Sequence, residues 1–347
     1  MFSPTTKKLL KTRLINSSIS GLLTAVFMYL IFYSGIESIL AGFCIGFSVY
    51  LCIAVYKRKI EYRYFQKINL MLLLLLTALS QVIIMLLVAM IFVGIFYMHG
   101  HFEMYFNKES AFSSQPFLIG MAFGLLLSMI FSFLNIVSTI IGKHILGNLF
   151  IGKYSKPAEE DRIFMFLDLT SSTAIAEKIG HLKYLSLLND FFHDIVEPID
   201  RTRGEIYKYV GDEVIITWKK KDGLRDNNCL ACFQLIEKEI KEKSNVYMKK
   251  YGLVPAFKAG LHGGITVIGE VGYSLREIAF VGDVLNTASR IMGECKALNQ
   301  SILISEDLTG LLMPSSHFTL EEVGSVTLRG KEKEMRLYGL KEMSVEF

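Results

Sequence analysis

Four long stretches without a single Asp, Glu, Lys or Arg occupy most of the first 142 residues, at 14–34, 38–56, 68–98 and 117–142. A helix needs about 20 apolar residues to cross the hydrocarbon core of a bilayer, and each stretch reaches or approaches that length. One such run is compatible with a buried core helix. Four in succession, in a chain with 52% hydrophobic residues, predict a four-helix transmembrane bundle over residues 1–142.

Basic residues flanking the spans orient the bundle. Lys7, Lys8, Lys11 and Arg13 precede the first span, and Lys57, Arg58, Lys59, Arg63 and Lys67 lie between the second and third. The loop 99–116 sets Lys108 alone against Glu103 and Glu109. Both termini, and whatever follows the fourth span, are therefore expected on the cytoplasmic side of a multi-pass protein of the cell membrane. The first span follows a polar, basic stretch and is succeeded by others, so it reads as a retained anchor and not a cleaved signal peptide. The net charge of +4 is accounted for by these juxtamembrane residues, which favour anionic lipid and imply no nucleic-acid partner.

From Lys143 the composition turns mixed, and 143–161 reads as a juxtamembrane linker ending in Lys156-Pro157-Ala158-Glu159-Glu160-Asp161. Gly147 and Gly152 argue against a long coiled coil there. Cys229 and Cys232 have zinc-like spacing, but no second ligand pair lies at a suitable distance, and a helix beginning near them explains the spacing as core packing.

In the second half, Arg162-Ile-Phe-Met-Phe-Leu167 predicts a strand ending at Asp168, with Ser171, Ser172 and Thr173 as capping residues for a helix. Ile175, Ile179, Leu182, Leu185, Leu188, Phe192, Ile195 and Ile199 recur at steps of three and four, which predicts one amphipathic helix. The segment IYKYVGDEVIITW, 206–218, predicts a hairpin with Gly211, Asp212 and Glu213 at its tip. A helix over about 224–248 and a strand over 256–260 complete the order β-α-β-β-α-β, the ferredoxin-like plan. In that plan the first and third strands are central, adjacent and antiparallel, so Asp168 and Asp212 should meet at one sheet edge. Neighbouring carboxylates repel, and a divalent cation such as Mg²⁺ relieves the repulsion, since it binds one or two carboxylates and completes its shell with water and phosphate. A further helix starting near Asp283 would place Asn286 and Arg290 on one face, where a guanidinium suits a phosphoryl oxygen.

The motifs FLDLTSST, KYVGDEV and VGDVLNTASR, in this order and spacing, resemble those of the class III nucleotidyl cyclases, the adenylate and guanylate cyclases, over 162–340. The resemblance implies an α+β cyclase catalytic domain in which Asp168, Asp212 and the backbone carbonyl of Leu169 hold two Mg²⁺ (or Mn²⁺) ions. It further implies that Arg290 stabilises the transition state, Asn286 positions the ribose, Lys331 meets the phosphates and Lys208 reads the purine. An ammonium only donates; adenine N1 accepts whereas guanine N1 carries a hydrogen, so ATP is the expected substrate. Ala279 departs from the pattern, falling where many adenylate cyclases carry an Asp that accepts from the exocyclic amine. The family also implies a homodimer with shared active sites, the carboxylates coming from one chain and Lys208, Asn286 and Arg290 from the other. The alternatives are a guanylate cyclase and a non-catalytic cyclase-like nucleotide-binding domain that signals by contact.

Overall fold

The computed structural model describes residues 156–273, 277–314, 318–327 and 334–342, together with scattered positions between 18 and 133. The chain divides into two units, Met1–Gly147 and Asn148–Phe347. In the first unit every described position is helical, and large apolar side chains such as Leu22, Val26, Met71, Leu75, Leu79 and Phe133 are exposed. Among the described residues no helix is long and apolar enough to cross a membrane. The four expected spans fall mostly on residues outside the described set, as do the loop 99–116, most of the linker and Lys331.

The second unit is built around a strand that is apolar on both faces. In β1 (Ala158–Leu169) side chains alternate across the sheet. Ile163, Met165, Leu167 and Leu169 enter one cluster with Leu187, Phe191, Ile195, Phe233 and Ile236, while Phe164 and Phe166 enter a second with Val284, Ala288 and Met292. A strand buried on both sides must be central. It pairs antiparallel with β3 (Glu213–Lys219) and with β4 (Phe257–Val271). The sheet runs β2-β3-β1-β4-β6-β8-β7, with β2 (Glu205–Val210), β6 (Ile302–Ser305), β7 (Phe318–Val326) and β8 (Met335–Glu342), and β5 (Glu277–Val281) pairs with β4 off that path. The longer helices of this unit are α1 (Ser172–Ile179), α2 (His181–Arg201), α3 (Asn228–Glu242), α4 (Ser244–Tyr251) and α5 (Asp283–Glu294). The expected β-α-β-β-α-β core and its antiparallel first and third strands are present.

Several elements differ from expectation. The strand expected over 256–260 runs Phe257–Val271, and Ser171, in left-handed backbone, makes no side-chain capping bond to α1. β1 begins at Ala158, inside the expected linker, because its N-terminal residues pair with the far end of the long β4, Ala158 opposite Ile268. The single helix expected over the Ile175–Ile199 stripe is two, broken at Gly180, whose φ of 81° and ψ of 149° lie in a region that favours glycine. The break rotates α2 relative to α1, so Leu188, Ile195 and Ile199 are buried while Leu182 and Leu185, expected on the same stripe, are 87% and 57% exposed. The helix expected over 224–248 is also divided. Asp226 and Asn227 take left-handed backbone, which Asn and Asp tolerate better than other side chains. There the Asn227 amide donates to Met313 O at 2.8 Å and its Oδ1 accepts from Met313 N at 2.9 Å. Lys243, between α3 and α4, reaches Asp194 at 2.7 Å and Glu239 at 2.8 Å.

One glycine positions α5. A Cβ on Gly260 of β4 would lie 2.3 Å from Met292 N and 2.5 Å from Ala288 O, so the helix backbone lies directly on the strand. Only a residue without a side chain permits that approach.

Candidate active site

The β2–β3 hairpin closes between Val210 and Glu213, leaving Gly211 and Asp212 as a two-residue loop. Gly211 has φ 65° and Asp212 does not share the positive sign, the pattern of a type II′ turn with glycine at its first central position. This tight tip sets Asp212 at the start of β3. Register then assembles the rest: Glu213 lies opposite Asp168 on β1, and Asp168 lies opposite Lys258 on β4. Alternation places all three on the α5 face of the sheet.

The expected meeting of Asp168 and Asp212 is thus observed, and its electrostatic consequence is visible. Burial, and next the charge of Asp212, raise Asp168 above the usual carboxylate range, while Lys258 opposes the rise. Lys258 Nζ stands 3.4 Å from Asp168 Oδ2. Glu213 is pushed up to about 7 by burial and by the charges of Asp168 and Asp212. The Tyr184 hydroxyl, from the first turn of α2, is raised by burial and by the same two aspartates. Sequence reading had assigned no role to Glu213, Lys258 or Tyr184. Glu213 was legible in the hairpin tip, because side chains at facing positions of an antiparallel pair share a face. Lys258 depends on the β1–β4 register, for which the local sequence carries no signal.

The donor chemistry fits a hard divalent cation. Asp168, Asp212 and the Leu169 carbonyl offer only oxygen, and among the described residues no group of three or more His, Cys, Asp and Glu converges into a closed cage. An open set of this kind suits Mg²⁺ or Mn²⁺ sharing its shell with phosphate. Cys229 and Cys232 are fully buried in the core, their thiols pushed up to about 12 by burial, so their spacing reflects packing.

The other expected residues lie on α5 and β2. Asn286 is exposed and Arg290 half-buried on α5, and among the described residues neither side chain makes a hydrogen bond or ion pair. The charges acting on Asp168 and Glu213 are those of the carboxylates and Lys258. Arg290 is not among them. Lys208, on β2, forms an ion pair at 3.0 Å with Glu277 of β5, a partner that sequence reading did not anticipate. Ala279 lies two residues further along the same strand.

The family model of the adenylate and guanylate cyclase catalytic domain matches residues 155–342, more than half of the chain. The chain belongs to this family. Within it, the chain is 35% identical over 204 residues to adenylate cyclase 2 of Rhizobium meliloti, covering 59% of this chain and 56% of that protein. It is 30% identical over 184 residues to an adenylate cyclase of Anabaena cylindrica, covering 51% of this chain and 36% of that one. The chain therefore spans about half or less of the length of these relatives. Among solved structures, a bacterial light-regulated adenylyl cyclase shares the fold with a TM-score of 0.56 at 17% identity, over 66% of this chain and 67% of that one. The cyclase fold places the hairpin tip and the end of β1 together, and in this chain both carry aspartate.

Proposed function

We propose that the protein is a membrane-anchored adenylate cyclase, acting as a homodimer that converts ATP to cyclic AMP and pyrophosphate. The observation that carries this reading is the convergence of Asp168 and Asp212 at one sheet edge, with Arg290 on α5 of the same chain and, among the described residues, in no side-chain hydrogen bond or ion pair. A single chain thus presents two half-sites, which a second copy would complete in pairs.

In that assembly Asp168, Asp212 and the Leu169 carbonyl hold the divalent cations, which supply Lewis acidity toward the triphosphate and the ribose 3′-hydroxyl. Asn286 of the second chain orients the ribose so that the 3′-oxygen faces the α-phosphorus. Arg290 donates to the phosphoryl oxygens as charge builds between entering and leaving groups. Lys331 and Lys258 are ammonium groups suited to the polyphosphate, and Lys208 donates to adenine N1. The 3′-hydroxyl gives up its proton to solvent water as its oxygen bonds to the α-phosphorus, the bond from that phosphorus to the bridging oxygen breaks, and pyrophosphate departs.

Exposed apolar side chains at many of the described helical positions of the first unit support contact with a lipid bilayer, since soluble surfaces rarely gather such residues in patches. With the basic flanks inside, both termini and the cyclase domain face the cytoplasm, where ATP is available. Ala279 favours one second reading, a cyclase with relaxed base choice that also accepts GTP.

Product analysis tests the proposal. The purified full chain in detergent, given Mg²⁺ or Mn²⁺, is expected to form cyclic AMP from ATP faster than cyclic GMP from GTP. Asp212→Ala is expected to reduce turnover by about 10² or more without unfolding the domain. A folded wild-type protein that makes neither product would leave the non-catalytic nucleotide-binding reading in its place.

A further inference from the structure

Arg162, on β1, is buried although it is charged, with 2% of its side chain exposed. It faces α5, because side chains alternate along a strand and Phe164 and Phe166 enter the cluster under that helix. Opposite it on β4 is Gly264, which offers no side chain to fill the space. The guanidinium is engaged on three sides. Nε donates to Glu160 Oε2 at 2.8 Å, Nη1 donates to Glu205 Oε2 at 3.0 Å, and the central carbon lies 4.8 Å from the centre of the Phe280 ring. Glu205 belongs to β2, so the side chain reaches across β3 to the edge of the sheet.

A buried ion pair is weak grounds for stability, because desolvation offsets much of its attraction. What this one does is bring β1, β2 and β5 together at one ring. Phe280 also meets Phe164 edge-on at 5.3 Å and Tyr207 at 4.9 Å, and its N–H donates to the Tyr207 hydroxyl at 3.3 Å. Tyr207 stands at a bulge, where β2 shifts register against β3 between Ile206 and Lys208, and bulges re-aim side chains. Beyond Phe280 the chain passes through Val281 and Gly282 into α5 at Asp283. Thr266 Oγ1 donates to Val281 O at 3.1 Å on the way. Phe280 is thus the anchored residue just before the helix that carries Asn286 and Arg290.

We infer that Arg162 is a positioning residue for α5, holding Phe280 and through it the start of the helix on which Asn286 and Arg290 lie. The inference rests on the adenylate cyclase reading and deepens it, since it assigns Arg162 to one half of the shared site. The carboxylate half is remote. Asp168 lies at the other end of β1, six residues on, about 20 Å away at the usual rise of a strand, and Asp212 lies beyond the end of β2 opposite to Glu205. Losing the guanidinium leaves the Phe280 ring free to shift, and a small misplacement of a catalytic group far from the change can cost about 10²-fold in rate.

The test uses the purified full chain in detergent, in wild type, Arg162→Met, Arg162→Lys and Glu205→Gln. It measures kcat and KM for ATP, Mn²⁺ affinity by electron paramagnetic resonance without nucleotide, and unfolding by Trp218 fluorescence. Arg162→Met should lose about tenfold or more in kcat with its Mn²⁺ affinity unchanged. Arg162→Lys should recover part of that loss, since an ammonium keeps the charge but not the planar fork. Co-expressed with Asp168→Ala, Arg162→Met should restore activity; co-expressed with Arg290→Ala it should not, because neither chain then offers a sound α5. Mn²⁺ affinity that falls together with kcat, or restoration by Arg290→Ala, would make Arg162 a support of the whole domain and overturn the inference. Unchanged kcat in folded Arg162→Met overturns it as well. Should Arg162→Met not fold, Arg162→Lys and Glu205→Gln carry the same comparison. A folded wild type that makes no cyclic nucleotide overturns the cyclase reading, and this inference with it. If Asp168→Ala and Arg290→Ala fail to complement each other, the shared site alone falls, and the kcat and Mn²⁺ comparison still decides the role of Arg162.

Discussion

Glu213→Gln offers a direct measure of the electrostatics at the hairpin tip. Glu213 rises from its ordinary 4.5 to about 7 because it is half-buried beside Asp168 and Asp212. Between those two pH values the folded protein retains a proton that the unfolded chain has released. The unfolding free energy therefore decreases as pH rises through this window, and the penalty is complete above about 7. At about 1.4 kcal/mol per pH unit, the full rise would cost on the order of 3 kcal/mol. Partial exposure of the side chain screens the interaction, leaving about 1–2 kcal/mol. The assay is favoured by the chain's single tryptophan, Trp218, which is fully buried on β3, so its fluorescence reports unfolding of the cyclase unit alone. Urea titrations of the full chain in detergent with EDTA, at pH 5.5 and pH 8, should show wild type losing about 1 kcal/mol more than Glu213→Gln, since that interval covers a little over half of the window. Mg²⁺ should restore stability more at pH 8 than at pH 5.5. Parallel pH profiles for the two proteins would refute the reasoning, since an ionisable group with no elevated pKa contributes no such slope.

Two further outcomes follow from the geometry. Co-expression of Asp168→Ala with Arg290→Ala, each inactive as a homodimer, should restore up to about one quarter of wild-type cyclic AMP formation if dimers form at random; a mixture that stays inactive although pulldown recovers mixed dimers would confine both residues to one chain's site. Gly260→Ala should destabilise the cyclase unit by about 2 kcal/mol or more and depress activity, because the new methyl group would displace α5 with Asn286 and Arg290; unchanged Trp218 unfolding and unchanged turnover would show that the helix does not rest on this strand.

The local chemistry of the site was readable from the chain. A strand ending in aspartate, a glycine-aspartate hairpin tip and a helix with Asn286 and Arg290 four apart are each marked by turn residues and periodicity within a few positions. The β-α-β-β order was enough to bring Asp168 to Asp212, because a short hairpin leaves β3 few alternatives to pairing beside β1. The breaks at Gly180 and at Asp226-Asn227 were not readable. In the first case the apolar steps of three and four continue across the glycine, and only packing on the sheet leaves Leu182 and Leu185 outside the core. In the second, Asn227 takes a left-handed backbone and bonds to Met313, a residue far along the chain.

By itself, then, the sequence determined the candidate aspartates, Asn286 and Arg290, the β-α-β-β-α-β order with which the cyclase unit begins, and the apolar character of the first 142 residues. Those properties reside in residue type, period and turn chemistry, all of which act between near neighbours. The tertiary structure decided which cation faces Asp168, how Glu213 is raised toward neutrality, and that the bulge at Tyr207 turns Lys208 to Glu277. Each of these depends on register between strands distant in sequence. Register is set by how whole faces of the sheet bury against α2, α3 and α5, a collective packing that no local stretch of residues encodes.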